Sequence, residues 1–264
     1  MNDSAGNKVL GAPSCRRSSS VHYTALCSAF LAAALLLPQL AGAATWDVDP
    51  VRVELSQEQQ TGAITIRNYS DQPTSIQIQA VAWSQVDGKD VFTPTRELLV
   101  APPIVTIAPK AEQVIRVALR RLADTKTELS YRINLQELPP QPVAGFNGVQ
   151  VALRIGLPVF VQPEKGQAAP KMAWNVTRMP DQQLKVGLRN QGTAHVQVSD
   201  FALYLPGSDQ SIVTQVSSSY VLAGQSREWL LKTSSLEKVS GGQLRIKAYT
   251  DAGDVETQLV LDKP

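Results

Sequence analysis

The chain has 264 residues, with 25 lysines and arginines against 23 acidic residues and a net charge of +2. That balance, without a long basic run or basic–aromatic interleaving, argues against nucleic acid as a partner. Cys15, Cys27 and His22 all lie ahead of residue 44, so the rest of the chain can form no disulfide, offers no thiolate, and has one imidazole, His195.

Lys8, Arg16 and Arg17 make a basic start, an apolar run follows from Thr24 to Leu37, and Ala41-Gly42-Ala43 gives a small-residue cleavage pattern. This reads as a secretory signal peptide over 1–43, with an apolar run too short to span a bilayer comfortably. The expected mature chain begins near Ala44 and is held together by burial alone.

From there the sequence alternates. Val51, Val53 and Leu55 share a period of two, as do Ile64 and Ile66, and Ile76, Ile78 and Ala80 ahead of Trp83. Asp87-Gly88 is a hairpin-turn signal. Val114, Val117 and Leu119 mark another strand, and Tyr131, Ile133 and Leu135 one more before Pro139-Pro140. After a loop over 141–148, aliphatics occupy Val149, Val151, Leu153, Ile155, Leu157, Val159 and Val161. A strand over 149–161 would extend roughly 43 Å, longer than a sandwich strand usually is. Pro158 has no N–H for a ladder, which predicts an edge strand there, and a long apolar edge needs a cover.

The pattern breaks at Gln162-Pro163-Glu164-Lys165-Gly166. Strands are then expected at Ala173–Thr177, Leu184–Arg189, Val196–Tyr204, Ser219–Leu222, Glu228–Lys232, Leu244–Tyr249 and Val255–Leu261. The fold class is therefore all-β, two β-sandwiches, with domains at 44–163 and 173–264 and a linker at 164–172.

Little here suggests chemistry. His195, beside Gly192 and Thr193, reads as a surface or loop-edge histidine. Asp47, Asp49 and Glu54 read as strand-edge solvation rather than a calcium or catalytic site. Trp46, Trp83, Trp174 and Trp229 are spaced for core or interdomain packing rather than a sugar platform. Asn68-Tyr69-Ser70 and Asn175-Val176-Thr177 read as accidental matches to the glycosylation pattern. No phosphate-cradling glycine loop or nucleophile motif occurs, so no cofactor, metal or small-molecule substrate is expected and the chain does not read as an enzyme.

Tyr131-Arg132-Ile133-Asn134-Leu135-Gln136-Glu137-Leu138-Pro139-Pro140 resembles the penultimate strand of domain one in the PapD-like periplasmic pilus chaperones of chaperone–usher systems. Asp49 to Val53, Asn68 to Trp83, Ala101-Pro102-Pro103 with Ile107-Ala108-Pro109, Ile115-Arg116-Val117 and Val149 to Pro163 resemble further stretches of that family in the same order. The Arg154–Val161 string is similar to its archaic branch. The resemblance implies two immunoglobulin-like sandwiches in an L-shaped arrangement, a periplasmic location, and pilus subunits and an outer-membrane usher as partners. Free chaperone could also self-associate. It implies donor-strand complementation, one form of β-augmentation: Val149, Val151, Leu153 and Ile155 would enter the subunit, while Leu157, Val159 and Val161 stay in their own core. Four buried aliphatics could contribute about 6–12 kcal/mol before ordering and association costs.

The resemblance also implies a basic pair that grips the subunit's C-terminal carboxylate. Arg52 takes the first position; the second falls on Pro158, with Arg116 and Arg154 as candidate replacements. The competing expectation is a secreted immunoglobulin-like adhesin or a structural pilus component.

Overall fold

A computed structural model describes residues 46–139, 151–234, 239 and 242–262. The expected signal peptide over 1–43, the loop over 141–148 and Val149 lie outside these described residues.

Among the described residues all the elements are strands. The first sandwich has a four-stranded sheet, in the order β1 (Trp46–Asp49), β3 (Thr61–Asn68), β8 (Glu112–Leu119) and β6 (Leu98–Ala101). Opposite lies a six-stranded sheet, in the order β2 (Val53–Leu55), β10 (Arg154–Val161), β9 (Leu129–Leu138), β4 (Thr74–Val86) and β5 (Lys89–Pro94), with β7 (Ile104–Ile107) also paired to β4. The second sandwich runs β14 (Ser211–Val221), β13 (Val196–Tyr204), β16 (Gln243–Thr250), β17 (Val255–Asp262), β11 (Met172–Met179), β12 (Gln183–Asn190) and β15 (Ser226–Lys232).

The period of two builds each core. Ile64, Ile66, Ile76, Ile78, Ile115, Val117, Tyr131, Ile133, Leu135, Leu157, Val159 and Val161 fill the first; Val176, Leu184, Val186, Leu188, Val196, Phe201, Leu244 and Ile246 fill the second. Asp87 and Gly88 take the positive φ values, 50° and 73°, of the tight β4–β5 hairpin.

Three sequence expectations change. In β8 the inward set is Ile115, Val117 and Leu119, while Val114 faces out. Val51 is exposed, because the chain bends between β1 and β2. The strand expected over 149–161 is an eight-residue strand, since Val151–Leu153 lie outside the ladder. There the Leu153 N–H donates to the Glu137 Oε2 side-chain oxygen at 3.0 Å instead of to the next main-chain carbonyl.

Pro158 is an edge residue on one side. The Glu137 N–H donates to the Leu153 carbonyl at 2.9 Å, so the odd-numbered residues of β10 direct their main-chain groups at β9. Pro158 directs its missing N–H the other way. On that side β2 pairs only with Val159–Val161, in parallel, so among the described residues Arg154–Pro158 has a neighbour strand on one side alone. Beyond Pro158 the edge expectation fails, because β10 becomes an interior strand.

Candidate functional site

The outer face of the six-stranded sheet carries the even-numbered side chains of β10 and β9. Pro158 is in register with Arg132 on β9. Extending the Val159–Val53 pairing back by one residue puts Arg52 level with Pro158 on its other side. Two arginines therefore flank the one proline, in a row across three adjacent segments of chain.

The Arg132 guanidinium lies 5.4 Å from the ring centroids of both Trp83 and Phe92, and its Nη2 donates to the Gly156 carbonyl at 3.3 Å. Gly156 makes room for it, since a Cβ there would sit 2.3 Å from Arg132 Nε. Among the described residues Arg132 has no carboxylate partner. Arg52 is held from two sides: its Nη1 donates to Asp251 Oδ2 at 3.0 Å, and its Nε is 3.5 Å from Glu54 Oε1. Its side chain still keeps 34% of its exposure, so one face of the fork can be reached from solvent.

The second sandwich closes this face. Trp83 and Phe160 from the first pack with Tyr220 and Leu222 from the second, with Trp83 edge-on to Tyr220 at 5.4 Å. Gln85 ties the two, its Nε2 donating to the Tyr220 carbonyl at 2.9 Å and its Oε1 accepting from the Leu222 N–H at 3.0 Å. Burial raises the pKa of the Tyr220 phenol, against the pull of the Arg52 and Arg132 guanidiniums.

His195 lies at a loop edge just ahead of β13, as expected, but its burial departs from the surface reading. It is not a surface residue: its side chain is 10% exposed and its ring lies flat on Phe160, 3.5 Å between centroids. Nδ1 is 2.7 Å from Glu128 Oε1 and Nε2 is 3.5 Å from Asp251 Oδ2. Burial opposes the charged ring, but the two carboxylates outweigh it and raise the imidazole pKa. Burial likewise disfavours the Asp251 anion, yet bonds from His195, the Gln197 N–H and Arg52 bring its pKa below the usual carboxylate range. A lone histidine in a strand pattern gave no sign of this, because both carboxylates are remote in sequence.

The other expected site residues are distributed as follows. Arg154 opens β10 on the same outer face, exposed and without an ion pair among the described residues. Arg116 lies on the solvent face of β8, in the opposite sheet, so the fold does not bring it to Arg52. Along the donor segment burial is graded: Leu157 is 2% exposed, Ile155 and Leu153 are half-buried against the first core, and Val151 is 76% exposed. Asp47, Asp49 and Glu54 do not converge: Asp47 meets Arg67 and Tyr69, Glu54 meets Arg52, and Asp49 points to solvent. Asn68 is buried and holds the carbonyls of Gln72, Ile107 and Ala108.

Sequence reasoning missed Arg132. The available signal was an arginine between the aromatic and aliphatic residues of β9, opposite the one proline of β10, and only the strand register makes that visible.

Residues 46–167 match the family model described as pili and flagellar-assembly chaperone, PapD N-terminal domain. Comparison with curated proteins finds no match. The chain is similar in fold to a chain in the CsuC–CsuE chaperone–tip adhesion subunit pre-assembly complex from the archaic chaperone–usher Csu pili of Acinetobacter baumannii. That match has 19% identity and a TM-score of 0.63, over 84% of this chain and 100% of the other. It is also similar to a chain in the complex of the Salmonella enterica SafA pilin with the SafB chaperone, at 16% identity and TM-score 0.56, over 84% of this chain and 98% of that one. The YadV chaperone matches at 17% identity and TM-score 0.56, over 83% of this chain and all of its own. At these identities the likeness establishes the fold: two immunoglobulin-like β-sandwiches.

Proposed function

We propose that the chain, whose residues 46–167 match the PapD N-terminal domain model of pilus and flagellar-assembly chaperones, captures pilus subunits in the periplasm by lending them the edge of β10. The observation that carries this reading is the one-sided segment Arg154–Pro158. Its main-chain groups on one side have no strand partner among the described residues, while the alternate aliphatics go from buried Leu157 through half-buried Ile155 and Leu153 to exposed Val151. A subunit with a missing strand could pair with that edge through main-chain hydrogen bonds, largely independent of sequence. Leu153 and Ile155, half-buried in the free protein, would become fully buried in the subunit, with Val149 and Val151 extending the set.

Arg52 and Arg132 together suit a carboxylate. Two arginines in register on either side of Pro158 offer planar donors for the two oxygens of a C-terminus, and the Tyr220 phenol lies within reach of both charges. Arg132 thereby takes the place expected of Arg116 or Arg154 in the anchor. No bond to the subunit is made or broken covalently, so no enzymatic step is required, and delivery to an outer-membrane usher completes the proposed role. Domains at 44–163 and 173–264, joined by 164–172, fit this division of labour, since the first supplies the strand and both wall the cleft. The adhesin reading is not favoured, because the matched family is one of assembly chaperones.

The test is capture. Coexpression with a pilus subunit of the same organism should yield a soluble complex, and changing Arg52 and Arg132 together to alanine should abolish it. Recovery of the complex at full yield from the double variant would contradict the anchor.

A further inference from the structure

Four ionisable groups from both sandwiches meet around one ring. Glu128, ahead of β9, places a side chain only 1% exposed against His195, and its Oε1 takes both the ring Nδ1 contact and the His195 main-chain N–H. The other Glu128 oxygen is buried with no hydrogen-bond partner. Asp251, between β16 and β17, faces Nε2 and also holds Arg52 from the first sandwich. From β14, Tyr220 places its ring 5.6 Å from the imidazole, and Phe160 of β10 stacks on its other face. With His195 protonated, two carboxylates meet two cations. With it neutral, Arg52 alone must serve both, and it does not reach Glu128, which is left buried without a counter-charge. A buried carboxylate in that state is costly.

We propose that His195 is a proton-operated latch between the two sandwiches: its imidazolium clamps Glu128 of the first to Asp251 of the second, and loss of the proton loosens their contact. This is independent of what occupies the cleft. It goes beyond the capture reading, because Asp251 of the latch also holds Arg52. The sign follows from the raised imidazole pKa. The latch is fully closed below the pKa of the freed imidazole, about 6.5, and weakens as pH rises through the raised value of the closed form.

The Leu222 N–H, buried and bonded across the interface to Gln85 Oε1, reports opening directly. Its hydrogen exchange should be followed from pH 6 to pH 9, corrected for intrinsic rate. The Ile133 and Val186 amides, one in each core, serve as references. The expected result is a Leu222 protection that falls by up to about tenfold per pH unit above neutrality, with the references unchanged. His195→Arg should keep protection high and independent of pH, while His195→Gln should lower it at pH 6 by about tenfold and remove the slope. A flat wild-type profile would overturn the latch, as would a slope that persists in His195→Gln. If His195→Arg does not fold, the His195→Gln profile decides alone.

Discussion

Arg132 and Pro158 are cross-strand partners, and the Arg132 guanidinium lies over Gly156, whose absent Cβ would otherwise sit 2.3 Å from Arg132 Nε. A three-residue arrangement on two strands thus places a cation on the outer face of β10. Gly156→Ala should displace Arg132 while leaving the first core intact. Subunit binding should weaken by about tenfold, the order of one charge-assisted hydrogen bond, with the unfolding temperature of the first sandwich little altered. Titration of a subunit peptide ending in a free carboxylate, against the same peptide amidated, checks this. The variant should lose most of the preference for the free acid.

Asp251 competes for Arg52. Its Oδ2 occupies one donor of the guanidinium at 3.0 Å, so Arg52→Ala removes an interdomain ion pair as well as a cleft cation. Binding of a subunit should fall by at least about tenfold, and a loss below about threefold would mean that Arg52 serves only Asp251. Calorimetric titration of the purified chaperone gives the number.

Stability should depend on pH from both ends. The raised His195 pKa contributes stability present below its unfolded value of about 6.5 and lost as pH rises through the folded value. The lowered Asp251 pKa contributes stability present above about 3.9 and lost as pH falls through the folded value. Thermal unfolding should therefore peak between these limits, and His195→Gln should flatten the alkaline limb and shrink the acid limb to the part that the Gln197 N–H and Arg52 sustain.

Phe160 joins the packing of both sandwiches, fully buried with Trp83, Leu222 and the His195 ring. Phe160→Ala should cost about 3–5 kcal/mol. Most of the loss should appear as earlier separation of the two sandwiches, visible as a split of one unfolding transition into two.

The inward residues of β3, β9 and β10 were legible in the sequence because burial on one face writes a period of two that Tyr131, Ile133 and Leu135 display without interruption. β14 was legible only at its end. From Ser211 to Ser218 it is rich in serine, threonine and glutamine, and Val216 is exposed, so no apolar face announces a strand. The burial of His195, at its loop edge, was not legible because it depends on a meeting of two sandwiches. Glu128 lies 67 positions away, and no local pattern encodes that contact. Arg52 became a candidate through a resemblance, and Arg132 did not, because its place depends on the β9–β10 register.

The central claim is that the β10 edge is lent to a subunit, and the most direct measurement is recovery of a soluble complex when the chaperone is coexpressed with a pilus subunit. Leu153→Asp and Ile155→Asp put charges on the half-buried pair at the free edge and spare Leu157, Val159 and Val161, which hold β10 in its own core. The account predicts that the folded double variant is exported in normal amount and recovers less than about a tenth of the wild-type complex. Undiminished recovery of the complex would contradict it.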